Sequence, residues 1–324
     1  MLKKTILVNK PIHDVALERL QEEVNVLTPY TAQPDELLEL LPQVHGILLG
    51  FGFDMGGQEM DLAEKLEVIG RHGVGLDSVD VDAASERGLP VVYTPYGPTQ
   101  STAEHTLLLI LATARCLPRL DQATRCGDFD IRQRPDGMGR ELHGKTLGVV
   151  GFGRIGQCVA AMCRDALGMS VYVYDPFLDP ETVSAWGGSY VEDLVELAGQ
   201  VDVLTIHTPH TSQTHHLINR EVLRAMRPDA IVINASRGAV VDEQALIEAL
   251  KDDHLGGAGL DVYDPEPPSP DNALFQFEQV VLTPHVASYT GEGRRRMSTT
   301  VVEDMLRVLR GERPQYLANP QVWT

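Results

Sequence analysis

The stretch Thr146-Leu147-Gly148-Val149-Val150-Gly151-Phe152-Gly153-Arg154-Ile155-Gly156 runs a short β-rich segment into glycines spaced G-x-G-x-x-G. A helical pattern follows at once, with apolar or small residues at Ile155, Val159, Met162 and Ala166. In this context each glycine has its own use. The first permits a tight turn, the second lets backbone approach a pyrophosphate, and the third lets the helix pack on the sheet. The helix start adds free N–H groups and the positive end of its dipole. Asp175 stands 19 residues past Gly156, at the end of the strand pattern Val171-Tyr172-Val173-Tyr174. A carboxylate there accepts a hydrogen bond from a ribose 2′-hydroxyl and repels a 2′-phosphate, which favours NAD over NADP. Gly151, Gly153, Arg154, Ile155, Gly156 and Asp175 are therefore the first cofactor-binding candidates.

On both sides of this motif, short strand patterns alternate with helical ones, as in α/β architecture with parallel sheets. One series has strand candidates at 5–8, 23–27, 46–49, 68–71 and 91–93. A second, after the Pro/Gly-rich stretch Tyr93-Thr94-Pro95-Tyr96-Gly97-Pro98, has six, at 146–150, 171–174, 203–206, 230–233, 257–260 and 280–282. The expected fold is α/β with two doubly wound parallel-sheet domains. A Rossmann NAD-binding domain (99–289) is inserted in a smaller flavodoxin-like substrate domain (1–98 plus 290–324). Between the series, residues 102–115 form a helix with a dense apolar block, Leu107 to Leu111, expected to be buried at a domain or subunit interface. A last helix, 297–309, is expected to return to the first domain.

Composition narrows the partners. There are 27 basic and 46 acidic residues, a formal charge of −19, which repels phosphate backbones and anionic lipid. Neither nucleic acid nor membrane is an expected partner. No apolar run approaches the length of a membrane span, and the N-terminal apolar run is too short for a signal peptide. Cys116, Cys126, Cys158 and Cys163 show no C-x-x-C spacing, as expected of a cytoplasmic protein. The His-rich run 207–216 lacks the i, i+4 histidine pair and the nearby cysteines of a zinc site, so no metal is expected. It follows a strand, which puts His207, Thr208 and Pro209 at the cofactor edge.

Three more strand ends bring titratable groups to that edge: Ala235-Ser236-Arg237, then Asp261 with Glu266 behind it, then His285. Arginine's planar donors match both oxygens of a carboxylate. Histidine exchanges protons near neutral pH, and a glutamate beside it stabilises the imidazolium. Arg237, Glu266 and His285 together suit hydride and proton removal from a 2-hydroxy acid.

With these residues in place, the chain resembles the NAD-dependent D-isomer-specific 2-hydroxyacid dehydrogenases over essentially its full length. The matching stretches are Arg71 to Asp80 (RHGVGLDSVD), Ser101 to His105 (STAEH), Leu142 to Gly148 (LHGKTLG), the glycine motif, Asn234 to Gly238 (NASRG), Gly259 to Val262 (GLDV) and Thr283 to His285 (TPH). The look is closest to the phosphoglycerate dehydrogenase and hydroxypyruvate reductase branch. The resemblance implies that Arg237 binds the substrate carboxylate and keto oxygen, His285 is the general acid/base and Glu266 its partner. It implies that Asp261 holds the nicotinamide carboxamide, Asp175 the adenosine ribose, and the N–H groups of Val74 and Gly75 the carboxylate. A cleft that closes over substrate, a D configuration and a homodimer built on the central helix are further implications.

One stretch departs from the branch. Where phosphoglycerate dehydrogenases place basic residues, the loop after the third strand reads Leu49-Gly50-Phe51-Gly52-Phe53-Asp54-Met55-Gly56, two aromatics and an acid. A phosphate finds little charge there, and ending at Thr324 leaves no room for a regulatory C-terminal domain. The expected substrates are therefore hydroxypyruvate or glyoxylate, then other short 2-keto acids, then 3-phosphoglycerate. The alternatives are a D-3-phosphoglycerate dehydrogenase and a non-catalytic, corepressor-like NAD(H)-sensing protein.

Overall fold

The structure, a computed structural model, describes residues 3–323. It divides into two compact units, Met1–Thr99 with Tyr289–Thr324, and Gln100–Ser288. The first unit holds β1 (Thr5–Val8), β2 (Asn25–Leu27), β3 (Gly46–Leu49), β4 (Val68–Arg71) and β5 (Val91–Val92) in the order β2-β1-β3-β4-β5. All neighbours are parallel, so the strand order reverses between β1 and β3. Apolar clusters cover both faces. Leu7, Ile47, Leu49 and Ile69 belong to one, while Ile6, Val8, Leu48 and Val68 belong to the other, as alternation along each strand requires. The helix Gly291–Leu309 joins the second cluster through Val301, Val302, Met305 and Leu306.

The second unit holds β6 (Thr146–Val150), β7 (Ser170–Tyr174), β8 (Ser189–Tyr190), β9 (Val203–Ile206), β10 (Ile231–Asn234), β11 (Gly257–Leu260) and β12 (Val280–Leu282). Their order is β12-β11-β10-β9-β6-β7-β8, all parallel, with the reversal between β6 and β9. In doubly wound sheets ligands bind beyond the carboxyl ends of the strands at such reversals.

The sequence reading needs three corrections. The second sheet has seven strands rather than six, because β8 is only two residues, Ser189 and Tyr190, too short to show a period. The helix Asp14–Glu23 runs through the expected start of the second strand, and β2 begins at Asn25. A helix at Gly57–Leu62, six residues with only Met60 buried, carries too little amphipathic signal to be anticipated. The central helix, Thr99–Ala114, buries Leu109 and Ile110 and leaves Leu108 50% and Leu111 37% exposed.

Candidate active site

In the second unit, the glycine turn lies between β6 and the helix Arg154–Leu167, with Gly153 as its N-cap and Gly168 closing it in the left-handed region. Gly151 has φ +87°, and a β-carbon there would lie 2.9 Å from the His207 carbonyl oxygen, so the end of β9 presses on the turn across the strand-order reversal. Ile155 and Gly156 pack inward while Gly153 and Arg154 face outward. Asp175 follows β7, and its two oxygens accept the N–H groups of Phe152 (2.8 Å) and Phe177 (3.0 Å). The carboxylate is thereby aimed at the glycine turn with lone pairs to spare.

His207, Thr208 and Pro209 follow β9. The His207 imidazole bonds Thr205 Oγ1 at 3.0 Å, and burial pushes it down to about 4, so it is neutral at physiological pH. Farther along, His215 stacks on His216 at 4.0 Å; among the described residues no group of three His, Cys, Asp or Glu is arranged to hold a metal. Two features fit a dinucleotide at this edge. Thr208 Oγ1 is buried without a hydrogen-bond partner among the described residues, and a β-carbon at Gly153 would meet no atom within 4 Å.

Ala235 and Arg237 follow β10. Asn234, 1% exposed, shapes this turn by accepting from the Ser236 N–H (3.0 Å) and hydroxyl (2.8 Å) and donating to the Arg237 carbonyl (2.9 Å). A β-carbon at Gly238 would fall 1.9 Å from the Tyr263 carbonyl oxygen, so only glycine lets the β10 and β11 loops meet here. Arg237 Nη1 donates to the Ser236 carbonyl at 2.7 Å, which fixes one side of its guanidinium. Glu266, in the loop after β11, and His285, after β12, are joined through Glu266 Oε1 and His285 Nδ1. Both are exposed, and His285 has φ +54°. Asp261 differs from the others in having no accessible surface.

In the first unit, Val74 and Gly75 follow β4 and direct no backbone N–H to another described residue. Arg71 shapes their loop: its Nε donates to the Gly75 carbonyl (3.0 Å), and Nη1 to those of Gly50 (2.8 Å), Leu49 and His72 (both 3.2 Å).

Three contributions escaped the sequence reading. Arg71 stood inside a quoted motif without a role, because its carbonyl partners lie on two loops. The loop after β3 is less bare of positive charge than its own residues suggest: Lys10, from the end of β1, sets its ammonium 4.9 Å from the centre of the Phe51 ring. Phe51 is 73% exposed, whereas Phe53 belongs to the core. Asn9 fastens the two loops by accepting from the Gly50 N–H (2.7 Å) and donating to the Phe51 carbonyl (3.3 Å). Only the neighbouring of β1 and β3 could have revealed this. The third is His105, bonded to Thr283.

Comparison with known proteins agrees with this layout. The family model described as D-isomer specific 2-hydroxyacid dehydrogenase, NAD binding domain, matches residues 107–287. The chain is 41% identical over 316 residues to a D-3-phosphoglycerate dehydrogenase of Methanocaldococcus jannaschii, covering 97% of this chain and 59% of that protein. It is 35% identical over 325 residues to a glyoxylate reductase of Korarchaeum cryptofilum, covering 99% of this chain and 97% of the relative. A crystal structure of a Thermus thermophilus protein superposes with a TM-score of 0.90 at 39% identity, over 97% of this chain and 99% of that one. The chain thus spans somewhat more than half the length of the phosphoglycerate dehydrogenases it matches, and nearly all of the glyoxylate reductase. The family-model match, the identities over nearly the whole chain and the superposition lead to one conclusion: the chain belongs to the D-isomer specific 2-hydroxyacid dehydrogenase family.

Proposed function

We propose that the chain is an NAD(H)-dependent oxidoreductase interconverting a small D-2-hydroxy acid and its 2-keto acid, with hydroxypyruvate or glyoxylate as the keto substrate. The observation that carries this reading is the His285–Glu266 pair, on the same sheet edge as Arg237 and the glycine turn. Glu266 holds Nδ1 of His285, which leaves Nε2 for the substrate oxygen. In the reductive direction the imidazolium gives its Nε2 proton to the keto oxygen, and in the oxidative direction the neutral ring takes it back. Arg237 pairs with the substrate carboxylate, and in the first unit the N–H groups of Val74 and Gly75 are candidate anion donors. A bound nicotinamide supplies or accepts the hydride. Gly151, Gly153, Arg154, Ile155 and Gly156 would hold its pyrophosphate side, with His207, Thr208, Pro209 and Ala235 lining the rest. Asp175, fixed by two N–H groups, would favour NAD over NADP.

A homodimer is proposed on the exposed apolar side chains Leu108, Leu111, Leu117, Phe129 and Met138. Four free thiols suit a reducing compartment, and cytoplasm is the proposed location.

Lys10 supports a second reading, D-3-phosphoglycerate dehydrogenase, the name carried by several relatives. No carboxylate among the described residues pairs with its ammonium, which leaves it able to meet a substrate phosphate.

The test of the first reading is Arg237→Ala. Because the same contact serves ground state and transition state, KM for the keto acid should rise and kcat fall, each by about tenfold or more. An unchanged KM would refute carboxylate binding by Arg237.

A further inference from the structure

The turn carrying His285 is held from behind by a chain of hydrogen bonds centred on the buried Asp261. With φ +54°, His285 occupies the left-handed region, which a side-chain-bearing residue keeps only when its surroundings impose it. Asp261 imposes it. Its Oδ1 accepts the Val286 N–H (2.9 Å) and the Thr283 hydroxyl (2.6 Å), and its Oδ2 accepts the Ala287 N–H (2.8 Å). The carboxylate thus grips the chain on both sides of His285.

Thr283 has one hydroxyl hydrogen, and it is spent on a group that can only accept. Its oxygen therefore accepts from His105 Nε2, 3.0 Å away, which places a proton on that nitrogen. The same nitrogen lies 3.5 Å from Asp261 Oδ1. His105 comes from the helix Thr99–Ala114, so the relay ties that helix to the β12 turn. Tyr263 closes the other side: its hydroxyl donates to the Thr283 carbonyl (2.9 Å) and its N–H to Glu266 Oε2 (3.4 Å). Burial alone would raise the Asp261 carboxyl, but hydrogen bonds from His105, Thr283, Val286 and Ala287 hold it below the ordinary carboxylate value.

We propose that His105, Thr283 and Asp261 are positioning residues that hold the His285 turn against Glu266. The proposal rests on His285 being the proton donor. Loosening the relay displaces the imidazole but leaves Arg237 and the glycine turn in place, so kcat suffers and binding does not.

The experiment compares Thr283→Val with Thr283→Ser, and His105→Leu with His105→Gln, in steady-state reduction of hydroxypyruvate. NADH affinity is measured by fluorescence titration, and folding is checked by thermal melts. Thr283→Val and His105→Leu should lower kcat by about tenfold or more, since small displacements of a reacting group are costly. KM for hydroxypyruvate and Kd for NADH should stay within about twofold, the mark of an interaction felt only in the transition state. Thr283→Ser and His105→Gln, which restore a hydroxyl and an N–H donor, should recover most of kcat. Full kcat in the Val and Leu variants would overturn the proposal. So would serine and glutamine variants as impaired as valine and leucine. A loss confined to NADH affinity, with kcat unchanged, would overturn it too. If Thr283→Val does not fold, the His105 pair delivers the same comparison. His285→Ala, assayed alongside, separates the two levels: near-parental turnover would refute the underlying reading, whereas an inactive His285→Ala beside unaffected valine and leucine variants would refute the relay alone.

Discussion

At the residue scale, Asp175 is already ordered by the protein's own backbone, through the N–H groups of Phe152 and Phe177. In the proposed NAD(H) site a carboxylate so fixed would accept a ribose hydroxyl and repel a 2′-phosphate. Asp175→Ala should therefore lower the ratio of kcat/KM with NADH to that with NADPH by about tenfold or more; an unchanged ratio would refute the ribose role. Asp175 was legible from sequence because glycine motif, strand and acid are consecutive. Arg237, Glu266 and His285 were legible because each follows a strand whose carboxyl end must reach one edge. Lys10 and His105 were not, since they act on residues about 40 and 180 positions away.

At the scale of elements, Ser298 binds the helix Gly291–Leu309 to the end of β4. Its Oγ lies 2.8 Å from His72 Nε2 and accepts the His13 N–H at 3.0 Å. Burial first, then the charges of Arg71 and Arg294, push the His72 imidazole down to about 4. In the unfolded chain histidine takes up its proton near about 6.5. Between those values the unfolded form binds more protons, so stability is present above about pH 6.5 and is lost as pH falls toward about 4. We expect the urea midpoint to drop between pH 7 and pH 5 by an amount worth on the order of 1–3 kcal/mol, and His72→Gln to shrink that drop. An equal drop in the variant would show that His72 is not held neutral. His207, pushed down in the same sense, adds to the parent's drop and remains in the variant. Elements were legible where buried strands or long amphipathic helices stamped a period on the chain. β8 and the helix Gly57–Leu62 did not, because two residues and six residues are too few. Nor could loop composition alone show that Phe53 turns into the core while Phe51 turns out to Lys10.

At the scale of the molecule, a formal charge of −19 poses the question of how the proposed anionic substrate would be held. Each unit carries local positive placement of its own: Arg237 and the helix start at Gly153 in the second, Lys10 and the loop organised by Arg71 in the first. Lys10 weakens the argument from composition against a phosphorylated substrate, since one ammonium beside the loop can outweigh a distant, screened surface charge. Family and sheet order were legible at this scale because motifs and strand ends repeat at fixed places; substrate identity was not, because it rests on side chains from separate loops. The central claim is reduction of a 2-keto acid with His285 as proton donor, and it is tested most directly by NADH oxidation with hydroxypyruvate and glyoxylate, parent against His285→Ala, at saturating substrate and cofactor. The parent should turn over, and the variant should be slower by about a hundredfold or more. Near-parental turnover by His285→Ala, or a parent that binds NADH yet oxidises it with no keto acid, would contradict the account.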